Sequence, residues 1–93
     1  MTRQLSSVAT AAAAIRAELR GRPASLADVA TSAISVTSER ASMLRSVTVR
    51  VVRTGVTEEE TLAMGRDIWT VVRRHWWGSA IVIVTGRRLG ELC

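Results

Sequence analysis

The hydrophobic positions change period several times along the chain. In residues 4–20, Leu5, Val8, Ala12, Ile15 and Leu19 recur at alternating spacings of three and four, one stripe of a helix. Ala11 to Ala14 add helix propensity, and Gly21 and Pro23 end the segment. Residues 30–38 alternate weakly, with Ala30, Ser32, Ile34, Val36 and Ser38 on one side, and predict a strand. Polar and small residues from Glu39 to Ser42 predict a turn. A second strand over 43–54 has Val47, Val49 and Val51 alternating with Thr48, Arg50 and Val52. A charged residue on one side of a period-two pattern signals a half-buried antiparallel strand, so the two strands are expected to form a hairpin.

Gly55 closes that strand, and Thr57-x-x-Glu60 spells a capping box. The helix it opens runs over 57–76. Leu62, Met64, Ile68, Trp69, Val71, Val72 and Trp76 form its broad apolar side, with Arg66, Asp67, Arg73 and Arg74 opposite. Its charges suit the helix dipole: Glu58, Glu59 and Glu60 at the start, Arg73 and Arg74 at the end. Gly78 breaks it. Residues 79–85 form a last strand, apolar on both sides, and residues 86–93 read as a mostly polar tail.

The order α-β-β-α-β predicts a small α+β two-layer sandwich, residues 1–93 forming one domain, with a three-stranded sheet and two helices on one face. Two helices cover one side of such a sheet. Thr48, Arg50 and Val52 then lie on the other side, with one apolar row of the last strand, either Ile81 and Ile83 or Ala80, Val82 and Val84. A strand apolar on both sides ordinarily lies between two layers. The expected role is therefore a non-catalytic assembly or protein-interaction module, which self-associates or docks a partner through Thr48, Arg50, Val52, Ile81 and Ile83. Trp77, out of phase with Trp69 and Trp76 on the helix, joins this set as a candidate anchor.

Composition adds a second reading. All thirteen basic residues are arginine, and Lys, Asn, Phe and Tyr are absent, the mark of a GC-rich gene of a bacterium or a phage. The net charge of +5 is concentrated in residues 1–56, where eight arginines face three acids. Arginine grips phosphates bidentately, so a basic nucleic-acid-binding module using Arg16, Arg20, Arg22, Arg45, Arg50 and Arg53 is the alternative. No uncharged apolar run is long enough to span a membrane. The first helix resembles a secretory leader only superficially, because Ser6, Ser7 and Thr10 interrupt its apolar run, and a cytoplasmic location is expected.

Catalytic chemistry has little to build on. The one histidine, His75, is expected to pack as a neutral side chain at the end of the second helix. Asp67 lies two turns away on the same helix, and no G-x-S-x-G elbow, P-loop, G-x-G-x-x-G or H-E-x-x-H occurs. A single cysteine, Cys93, excludes an internal disulfide and a CxxC metal site. No metal, cofactor or small-molecule substrate is expected.

The α-β-β-α-β order with a basic surplus resembles reduced type II KH-like domains, which implies RNA binding. The G-x-x-G loop that grips nucleotides in standard KH domains is missing here. Residues 47–85, with Val47-x-Val49-x-Val51, Gly55-Val56, a helix and a valine-rich strand, are also similar to alkaline-shock-type envelope proteins.

Overall fold

The computed structural model describes residues 7–21, 26–27, 29–41 and 44–90. The leading stripe forms helix α1 (Ser7–Arg20), with Val8, Ala12, Ile15 and Leu19 buried as the spacing requires. Leu26 and Val29, in the connection that follows, are buried too and extend the same core.

Strand β1 (Ile34–Ala41) begins and ends later than the 30–38 segment expected. Residues Thr31–Ala33 instead tighten into a 3₁₀ turn closed by the Ala33 amide donating to the Ala30 carbonyl. At the other end Glu39, Arg40 and Ala41 belong to the ladder and not to the expected turn. The antiparallel pairing with strand β2 (Leu44–Val51) runs from Ile34–Val51 to Ala41–Leu44.

Helix α2 (Glu58–His75) starts with the capping box in full. The Thr57 hydroxyl accepts from the Glu60 amide at 3.1 Å, and Glu60 Oε1 accepts from the Thr57 amide at 2.9 Å. The box holds the Glu60 carboxyl below its usual range, first through the Thr57 backbone bond, then through the Thr57 side chain, with Arg53 adding attraction. At the far end Arg73 donates to the Trp76 and Gly78 carbonyls, both at 3.0 Å, and ties the end of the helix to the connection that follows. Trp76 folds back so that its indole donates to the Ser79 carbonyl. A Cβ on Gly78 would come within 2.7 Å of the Trp76 ring, so this connection needs a glycine for space.

The largest difference from the sequence reading is at the end of the chain. The sheet has four strands, in the order β1-β2-β3-β4, and the segment read as a tail supplies the fourth. Strand β3 (Ser79–Val84) pairs parallel with β2, and strand β4 (Arg87–Leu89) returns antiparallel along β3. The hairpin between β3 and β4 turns on two residues, Thr85 with φ 49° and Gly86 with φ 79°. These values match a type I′ turn, whose twist suits the strands it joins. A β-branched residue is strained at positive φ. Here the Thr85 hydroxyl donates to the Arg53 carbonyl at 2.7 Å and accepts from the Arg53 amide at 3.2 Å, and the Thr85 amide donates to the Val51 carbonyl. Those three bonds tie the turn to the end of β2 and hold the strained residue in place.

Both helices lie on one face, as the two-layer reading expected: α1 over β1 and β2, α2 over β3, and the helices against each other. The covered side of the sheet carries Ile34, Val36, Val47, Val49, Val51, Val82, Val84 and Leu89, all buried. They form one cluster with the helix residues Ile15, Leu19, Met64, Ile68, Trp69 and Val72. Arg87 reaches across on this side to pair with Glu58 at the start of α2, and the ion pair raises the arginine's pKa above its ordinary value. No helix among the described residues is long and apolar enough to cross a membrane.

Candidate interaction face

Side chains alternate along a strand, so burial of Val47, Val49, Val51, Val82, Val84 and Leu89 puts their neighbours on the opposite face. The register then sorts that face into rows that cross the strands. One row is Ser35, Arg50, Ile83 and Arg88, taken from all four strands. The next is Thr37, Thr48 and Ile81, and the third Glu39, Ser46 and Ser79. The open face is thus hydroxyl-bearing over β1, aliphatic along β3, and basic on the strands that flank β3.

The two possible rows of the last strand are resolved by this register. Ala80, Val82 and Val84 meet the helices, and Ile81 and Ile83 lie on the open face, both half-buried. Arg50 and Arg88 are exposed beside them. Aliphatic stems of arginine commonly lie along neighbouring apolar side chains while the charged head stays in water. Val52, just past β2 and next in the alternation after Arg50, is 51% exposed. Arg88 is a residue that the sequence reading left in the tail. Its place on the face follows once Arg-Arg-Leu is seen as a short alternating strand: Arg87 toward α2, Arg88 away from it, Leu89 into the core.

Trp77 is not part of a sheet row. It lies in the connection between α2 and β3, 80% exposed, with the Arg73 guanidinium 5.5 Å from the centre of its ring. The same guanidinium lies 5.0 Å from the Trp69 ring, so one arginine holds two tryptophans, one buried and one bare. The Trp69 indole N–H is buried and has no hydrogen-bond partner among the described residues.

The arginines proposed to grip nucleic acid are dispersed. Arg16 donates to the Val36 carbonyl at 2.7 Å and joins α1 to β1. Arg20 is exposed at the end of α1. Arg45 follows the core-side alternation of β2, opposite to Arg50, and is exposed at the hairpin end. Arg53 borders the Thr85 turn. Arg22 lies outside the described residues, as do Asp28 and Cys93.

His75 does not pack into the core as the sequence suggested; it faces the first helix. Its Nε2 lies 2.8 Å from Glu18 Oε1, and Arg74 pairs with the other oxygen of the same carboxylate. The three form a clamp between α1 and α2, with Glu18 and His75 half-buried and Arg74 exposed, a cross-helix contact between residues far apart in sequence. Among the described residues no group of three or more His, Cys, Asp or Glu side chains is placed to hold a metal ion.

The face is therefore the assembled feature of this fold that its own chain leaves without a covering layer among the described residues. No family model, no curated protein and no solved structure matches the chain.

Proposed function

We propose that this chain is a non-catalytic interaction module, and that it acts by having the open face of its sheet covered by another molecule. One observation carries the reading: both helices pack on the same side, and Ile81, Ile83 and Val52 are left on the other. A β3 strand apolar on both sides is the composition of a strand sandwiched between layers. Ile81 and Ile83 are already half-buried by their neighbours, so covering what remains of each gains roughly 1 kcal/mol or less. The dispersal of Arg16, Arg20, Arg45 and Arg53 over helices, hairpin end and turn gives less support to a nucleic-acid reading, in which phosphates are met by a contiguous basic patch.

The test compares the wild type with an Ile81→Ser/Ile83→Ser variant by light scattering and solubility over a wide concentration range. The reading expects the wild type to associate or to reach its solubility limit early, and the variant to relieve either behaviour. Equal mass and equal solubility for both proteins would count against an interface on this face.

A further inference from the structure

The chemistry of the open face selects among its possible occupants. Arg50 and Arg88 stand on either side of Ile83 in one row, so the aliphatic line of β3 is bracketed by two guanidinium groups. Neither arginine has an acidic partner among the described residues, whereas Arg74 pairs with Glu18 and Arg87 with Glu58. The acid of this face, Glu39, lies two rows away on β1. Two rows are four residues, about 13 Å along the strand, beyond the ~8 Å over which exposed charges act in physiological salt.

We infer that the occupant is an acidic amphipathic helix of a partner protein, lying along β3 with its apolar stripe on Ile81 and Ile83 and carboxylates toward Arg50 and Arg88. This rests on the open face being an interface. Dimensions favour the fit. Arg50 and Arg88 are two strand spacings apart, about 9.6 Å, close to the ~10 Å width of an α-helix. Ile81 and Ile83 are about 6.7 Å apart along the strand, near the ~6 Å rise from one helical residue to the fourth after it. An apolar stripe at that spacing, flanked on both sides by Glu or Asp, matches the face in shape and in charge.

Charge also separates this partner from the alternatives. Two copies packed through the same face would enclose four arginines, Arg50 and Arg88 of each, against two Glu39, and that surplus of like charge makes a second copy a weaker occupant than an acidic partner. A single-stranded nucleic acid would be drawn by the arginines, but the rows of the face hold aliphatic and hydroxyl side chains and no aromatic ring on which a base could stack.

The experiment uses two synthetic peptides of about 18 residues, long enough to cover β3 as a helix. They share one leucine stripe and differ only in its flanks, glutamate in one and lysine in the other. Binding to the whole chain is followed by fluorescence anisotropy. The glutamate peptide is expected to bind at least about tenfold tighter. Arg50→Glu/Arg88→Glu is expected to reverse that preference, and Arg20→Glu/Arg66→Glu, which changes the same net charge on the helices, to preserve it. Equal affinity for both peptides, or equal loss in both charge variants, overturns the inference. So does a labelled oligothymidylate that binds in place of the glutamate peptide and is lost in the Arg50/Arg88 variant. A dimer that Ile81→Ser/Ile83→Ser dissolves and the glutamate peptide does not displace overturns the acidic helix while leaving the face an interface. Indifference of mass, solubility and peptide binding to the serine variant removes both readings together.

Discussion

Val82 and Ile83 are neighbours on one strand, yet the fold assigns them opposite surroundings, and truncating each to alanine measures that difference. Val82 is fully buried against the helices. Val82→Ala removes two methyl groups, about 1.5 kcal/mol of transfer free energy, and the cavity left behind raises the cost to about 2–3 kcal/mol. Ile83→Ala removes three carbons. Under a complete covering layer that would cost about 2–5 kcal/mol. Covered only by its own neighbours on the face, it should cost about 1.5 kcal/mol. Both residues are β-branched, so the change in strand propensity nearly cancels between the two variants. The assay is urea unfolding followed by far-ultraviolet circular dichroism, with stability taken by linear extrapolation at low micromolar protein. The layer argument fails if Ile83→Ala costs as much as Val82→Ala at the lowest concentration. A cost at Ile83 that grows with protein concentration means instead that another copy supplies the cover.

Three further outcomes are expected. Thr57→Ala should destabilise the protein by about 1 kcal/mol, because it removes the acceptor for the Glu60 amide. Glu60 is held below its ordinary pKa, so the folded state binds fewer protons there than the unfolded chain; its contribution is present above the usual value of 4.5 and is lost as the pH falls through the lower folded value. Glu60→Gln should flatten that acid limb in unfolding curves, and an unchanged limb would exclude the box as its source. Gly86→Ala should cost about 1–2 kcal/mol, since its φ of 79° disfavours a side chain, and Thr85→Val should also destabilise by losing both bonds to Arg53 while keeping the branched shape; a neutral Thr85→Val in thermal melts would show that those bonds do not hold the turn. Trp77→Ala should leave the urea midpoint nearly unchanged, because the ring is 80% exposed, and should remove the most iodide-quenchable part of the tryptophan fluorescence. A large loss of stability would instead make the Arg73 contact a structural one.

The positions of the main elements could be read from local pattern because each rests on local physics. The α2 start is a hydrogen-bonded exchange between Thr57 and Glu60, three residues apart, and it forms as the residue types predict. The stripe Val8, Ala12, Ile15 and Leu19 is a matter of helical period, and the alternation of Val47, Val49 and Val51 a matter of strand period. The fourth strand escaped notice because two adjacent arginines look like a solvated tail, although Thr85-Gly86 before them is a two-residue connection of hairpin length. The ends of β1 escaped for a related reason. Its residues are small and polar, and its ladder with β2, not its own composition, carries it on to Ala41. The role of His75 lay out of reach, since its partner Glu18 is on the other helix.

The amino-acid order alone therefore determined two helices, the capping box of the second, a hairpin and a strand apolar on both sides, since these depend on periods and contacts within a few residues. Tertiary structure alone decided which side of that last strand turns away from the helices. A strand apolar on both faces contains no preference between them, and the choice comes from the parallel register with β2, which aligns Val82 with Val49 and Ile83 with Arg50. The same register, extended by β4, brings Arg50 and Arg88 from distant parts of the chain to either side of Ile83.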